Sequence, residues 1–123
     1  MSRDPNHRIE IRPATQRVTV SLDGTVLSDS KQARALYETG LPVRWYLPRE
    51  DVRMDLLTPT DTSTVCPYKG EARYWSARVG DREVTDVVWS YERDRGLVPE
   101  AEDVEGYLSF YDSKVDVVVS DAS

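Results

Sequence analysis

The chain predicts a mostly β protein built from antiparallel sheet, and three observations lead there. Apolar and polar residues alternate in short runs, the period of a strand with one buried face. Turn sequences rich in Gly and Asp separate those runs at hairpin spacing. No segment keeps a 3.6-residue apolar period long enough for a long helix. At 123 residues the chain matches one domain, able to bury a sufficient core without disulfides or a structural metal.

Taken in order, residues 1–14 read as a loosely held N-terminal segment and residues 15–120 as the single β domain. The first seven residues are polar, interrupted by Pro5, and ordinary for a terminus. Residues 17–22 alternate, Asp23-Gly24 supplies the positive φ angles of a tight turn, and residues 25–28 continue as the second strand of a hairpin. Residues 34–39 and 43–47 are short extended segments joined by Gly40-Leu-Pro. Pro48 followed by Arg-Glu-Asp predicts one helical turn, with acidic residues at the positive end of its dipole. The threonine-rich residues 58–64 lack apolar periodicity and read as a surface loop. Residues 72–79 and 83–92 flank Gly80-Asp81 as a second hairpin, and residues 107–111 and 115–120 flank Asp112-Ser-Lys as a third. Between these, residues 94–105 read as an acidic loop.

The balance of 16 basic to 22 acidic residues gives a formal net charge of −6, which repels a phosphate backbone and argues against nucleic acid as a partner. No apolar run approaches the length of a membrane span, nor does the start resemble a leader. With a single cysteine, the expectation is a cytoplasmic protein with no cofactor and no metal. His7, the only histidine, falls in the polar terminus, so a histidine-based triad has little support.

The stretch that gathers most chemistry is Thr64-Val-Cys-Pro-Tyr-Lys-Gly-Glu-Ala-Arg-Tyr-Trp75. Pro67 presets φ for a turn and Gly70 releases the chain into the next strand, so the turn holds Cys66 near Lys69. A thiol beside a cation is a candidate nucleophile or redox centre. A buried, inert Cys66 with Lys69 in water is the competing reading. Glu38, just before Gly40, is a charge partner for Lys69 or Arg44, or else a solvated carboxylate. Period-two alternation puts Trp75, Ala77 and Val79 on one side of their strand and Tyr74 on the other, while Val87, Trp89 and Tyr91 share a face. Tyr107 and Tyr111 share another. These rings suit a pocket wall with hydroxyl and indole handles, and equally a core. Seven tyrosines against one phenylalanine favour a role that uses the hydroxyls.

The series Glu38-x-Gly-x-Pro, Tyr46-x-Pro-x-x-Asp-Val, Cys66-Pro-Tyr-Lys-Gly-x-Ala-x-Tyr-Trp, Trp89-x-Tyr91 and Gly106-Tyr-x-x-Phe-Tyr resembles the domain of unknown function family 427, over about residues 15–120. The resemblance implies a β-tent, two antiparallel sheets meeting at a steep angle. Tent-like domains place ligands in a cleft between the sheets, many with zinc on cysteine pairs that this chain lacks. The family is sometimes labelled nucleotidyltransferase-like. That chemistry needs carboxylates holding two Mg²⁺ ions, and no Asp-x-Asp occurs here.

The leading expectation is a domain that binds an unknown small molecule in an aromatic-lined cleft. Its ligand residues would be Tyr46, Tyr74, Trp89 and Tyr91, with Cys66, Lys69 and Glu38 as the polar members. The alternatives are a small enzyme using Cys66 with Lys69, and a protein-interaction module using an exposed aromatic patch or sheet edge. The oligomeric state is open.

Overall fold

The computed structural model describes residues 6–121; Pro5 and the start of the chain lie outside the described residues. Ten strands among the described residues form three antiparallel sheets, where two were expected. The first has the order β1 (Ile9–Pro13), β4 (Arg34–Glu38), β5 (Arg44–Tyr46). The second runs β10 (Asp116–Ser120), β2 (Arg17–Leu22), β3 (Thr25–Ser30). The third runs β6 (Leu57–Cys66), β7 (Gly70–Val79), β8 (Arg82–Tyr91), β9 (Leu108–Phe110). The helical content is 3-10 turns: Arg49–Asp51, Met54–Leu56, Arg93–Arg95 and Pro99–Val104.

The third sheet is packed on both faces. On one, Trp75, Ala77, Val88 and Phe110 meet Val18, Val20, Leu22 and Leu27 of the second sheet. On the other, Ala72, Tyr74, Trp89 and Tyr91 meet Leu36 and Tyr46 of the first sheet, with Ala101 and Val104 from the last 3-10 turn. The chain therefore has a mainly aliphatic core, which includes Trp75 and Phe110, and a separate, tyrosine-rich aromatic one. A backbone bridge between Leu47 and Leu108 fastens the first sheet to the third.

The hairpin β2–β3 forms as expected, because Asp23 (φ 51°) and Gly24 (φ 81°) both take the positive φ of a turn whose twist matches paired strands. The second hairpin, β7–β8, also forms. Its ladder slips between Trp75 and Ala77, and opposite the slip Asp86 adopts φ 51°. The Asp86 amide donates to Ser76 Oγ at 3.2 Å, and its carboxylate accepts from Thr60 and Thr62 at 2.7 and 2.6 Å. Those bonds, Thr62's first, hold the Asp86 carboxyl below its ordinary pKa against a smaller opposing effect of burial. Because the bulge interrupts alternation, Val87 joins the aliphatic core while Trp89 and Tyr91 face the aromatic one. The expected shared face for all three is corrected accordingly.

Four further readings change. Residues 58–64 belong to strand β6, since β-branched threonines suit extended backbone and an edge strand tolerates Pro59. Strands β9 and β10 do not pair with each other: β9 adds to β8 and β10 to β2, where Val117 faces Val20 and Val119 faces Val18. The acidic residues 94–105 contain two 3-10 turns whose buried Ala101 and Val104 close the aromatic core. Within the segment expected to be loosely held, Ile9–Pro13 is strand β1, paired along its length with β4. Ile9 and Ile11 anchor it against the aromatic core.

Candidate functional site

The turn after β6 builds the site. Cys66 O accepts the Lys69 amide at 3.2 Å, and Lys69 O accepts the Val98 amide at 2.9 Å, clamping the turn to the loop that follows Arg93–Arg95. Gly70 has φ 129°, and a Cβ there would lie 2.7 Å from the Gly96 carbonyl oxygen. Only glycine lets the two backbones approach this closely. The clamp turns the Lys69 side chain inward, where its Nζ donates to Glu38 Oε1 at 2.7 Å and lies 5.6 Å from the centre of the Tyr91 ring. Lys69 and Glu38 are each 8% exposed.

The other Glu38 oxygen is taken by His7, with Nε2 2.8 Å from Oε2. The imidazole lies flat on Tyr68, ring centres 3.9 Å apart at 22°. A buried carboxylate is thus held between an ammonium and an imidazole. Burial is the largest single influence on Glu38 and pushes its pKa up, but the hydrogen bonds and charges of Lys69 and His7 together outweigh it, so the carboxyl sits below its ordinary value. Two surface recesses of about 280 Å³ each adjoin this cluster. One is lined by His7, Arg8, Ile9, Tyr68 and Glu100, the other by Arg8, Tyr37, Glu38 and Thr39 among others.

Behind the ion pair stands the aromatic core. Trp89 Nε1 donates to Tyr46 Oη at 3.1 Å, and Tyr74 Oη bonds Thr64 Oγ1 at 2.9 Å and Tyr111 Oη at 3.3 Å. Trp89 also packs on Tyr111, ring centres 4.4 Å apart. Burial raises the Tyr46 and Tyr91 hydroxyls well above the ordinary phenol value, and burial with the Tyr74 bond raises Tyr111 to about 12. The surplus of tyrosine over phenylalanine thus has a structural use: the Tyr46, Tyr74 and Tyr111 hydroxyls bond within the protein.

Of the seven residues expected to form the site, Glu38 and Lys69 make direct contact. Cys66 is half-buried, packs against the same aromatic core and contributes to the raised pKa of Tyr46 and Tyr91. Tyr46, Tyr74, Trp89 and Tyr91 come together as packed interior, none more than 6% exposed. Arg44, the other partner considered for Glu38, instead faces Asp112 at 3.9 Å and the Trp89 ring at 5.7 Å. The residue that sequence reasoning missed is His7. Its signal was the Ile9-x-Ile11 alternation: once those residues pair with β4, Ile9 stands opposite Glu38, and His7 lies two residues before it. Among the described residues no group of three or more His, Cys, Asp or Glu side chains is arranged to hold a metal ion.

Residues 10–121 match the model of the family described as "domain of unknown function (DUF427)". The chain belongs to that family. The match takes in every residue of this DUF427 domain's candidate site except His7. No curated protein matches the chain. Among its described residues no helix is long and apolar enough to cross a membrane.

Proposed function

We propose that this domain binds a small planar heterocycle carrying an N–H donor, seated against Glu38 and Tyr68 in the slot filled by the His7 imidazole. The observation that carries the reading is the His7 contact itself. A flat ring with a nitrogen 2.8 Å from Glu38 Oε2 and a stacked partner 3.9 Å away has the recognition chemistry of a bound heterocycle: one directional hydrogen bond and one aromatic face. Lys69 fixes the carboxylate and keeps it ionised as an acceptor. Tyr46, Tyr74, Trp89 and Tyr91 support the site from behind, and Cys66 stands at its edge. A buried ion pair adds little net stability over an apolar pair of the same volume, so a demand for a positioned carboxylate accounts for Glu38 and Lys69 better than folding does. Binding is preferred over thiol catalysis because the Lys69 ammonium is held by Glu38, leaving its backbone, not its charge, as its hydrogen bond to Cys66.

The test is a thermal-shift screen of the wild-type domain against nucleobases, nucleosides, imidazoles and imides. At a hundredfold excess over Kd, a ligand of the folded state stabilises by about 2.7 kcal/mol, or roughly 10 °C for a domain of this size. The hit is expected to vanish in Tyr68→Ala and Glu38→Gln variants shown to be folded by circular dichroism. A hit retained in both refutes this slot, and an unresponsive wild type across the panel refutes the ligand class.

A further inference from the structure

A further recess, separate from the two beside the Glu38 site, lies where all three sheets converge. It is open to solvent on one side, and its volume is about 140 Å³, room for one benzene-sized ring. Its floor is Val18 and Val20 of β2, each at most 1% exposed, flanked by their more accessible cross-strand partners Val119 and Val117 of β10. The facing wall is Trp45, Leu47 and Phe110. The two charged side chains that line it are Arg44 and Asp112.

Those two charges are poorly matched to each other. Their closest approach is 3.9 Å, beyond hydrogen-bond distance, and the Asp112 side chain is 75% exposed, where pairing is worth little. The Arg44 side chain is only 33% exposed, its guanidinium lies 5.7 Å from the centre of the Trp89 ring, and it makes no direct hydrogen bond to another described side chain or backbone group. A planar five-donor group at the rim of an apolar recess is suited to a carboxylate, which it grips through two parallel bonds.

We infer that this recess is a binding site for a small apolar carboxylate of about benzoate size, its ring among the valines and Phe110, its carboxylate on Arg44 in place of Asp112. Benzoate is the probe. Titration into ¹⁵N-labelled wild-type protein, followed by amide and Arg Nε resonances, is expected to shift β2, β10 and Arg44 saturably. Arg44→Gln is expected to weaken binding at least tenfold, since the charged anchor is lost while the apolar walls stay. Asp112→Asn, at an exposed position that leaves packing intact, is expected to tighten it by about two- to fivefold by removing the internal competitor. Benzamide, of the same shape and without charge, is expected to bind far more weakly than benzoate. Shifts centred elsewhere, equal affinity for benzamide, or an Asp112→Asn variant that binds more weakly than wild type would each overturn the inference. So would the absence of saturable shifts in the wild type.

Discussion

Replacing Lys69 by methionine removes the ammonium from a nearly closed site while keeping its volume. Its side chain is 11% exposed and that of Glu38 5%, so solvent does little to screen the carboxylate left behind. Breaking a buried pair at one partner costs about 3–5 kcal/mol. Because His7 still holds Oε2, the lower end applies, about 3 kcal/mol. Unfolding entropy for 123 residues is about 0.26 kcal/mol/K, so Tm falls by roughly 12 °C. Adding Glu38→Gln to Lys69→Met removes the stranded charge and keeps an acceptor for His7. The double variant is expected to regain most of the loss, giving a coupling energy of at least about 2 kcal/mol. Urea unfolding of the wild type, both single variants and the double variant measures this directly. Additive losses, or a Lys69→Met variant within about 0.5 kcal/mol of wild type, would refute the claim that the ammonium and carboxylate form one buried unit.

Two other predictions follow from the same geometry. The Glu38 carboxyl is held below its ordinary value of 4.5, so in the acid range the unfolded chain binds its proton first; the stabilisation is complete above about pH 4.5 and disappears as pH falls through the depressed folded value. Wild-type Tm is therefore expected to drop more steeply than that of Glu38→Gln on acidification below pH 5, and parallel curves would contradict the assignment. At Gly70 the φ of 129° and the 2.7 Å approach to Gly96 O predict that alanine costs at least 1–3 kcal/mol in backbone strain, about 4–12 °C of Tm. Gly24→Ala, with nothing within 4 Å of its Cβ, is expected to cost clearly less; equal losses in calorimetry would remove the clamp from the account.

How much of this could be read from the chain depended on distance along it. The β2–β3 turn was legible because Asp23-Gly24 states its backbone angles locally, and the β7–β8 hairpin because Gly80 does the same. The destination of β10 was not legible: Val117 and Val119 form good cross-strand pairs with Val20 and Val18, yet a short turn after Tyr111 suits a hairpin back onto β9 equally well. Alternation sorted Trp75 from Tyr74 correctly and failed at Val87, since Asp86 carries a bulge that depends on Ser76, Thr60 and Thr62 from other strands.

In the site, a Glu38–Lys69 pair was one of three readings of Glu38, beside a pair with Arg44 and a solvated carboxylate. Charge and turn chemistry could not choose between them, because the choice is made by the Gly70–Gly96 contact that aims Lys69 inward. The four aromatic residues expected to line a cleft pack together as one core, and sequence does not distinguish a pocket wall from a core. The bonds from Trp89 to Tyr46 and between Tyr74 and Thr64 satisfy within the protein the polar groups that a ligand would otherwise have been called on to meet. His7 was discounted because it sits in a polar terminus, and strand β1 carries it back to Glu38 over a separation of 31 residues.

The central claim is that the His7 imidazole stands in a slot suited to a planar N–H heterocycle, and chemical rescue tests it most directly. The His7→Gly variant is expected to have a lower Tm than wild type, and added imidazole is expected to restore it saturably, with a clearly larger shift than in wild type, where a ligand must first displace the His7 ring. An imidazole response that is absent in the variant, or the same size in both proteins, would contradict the account.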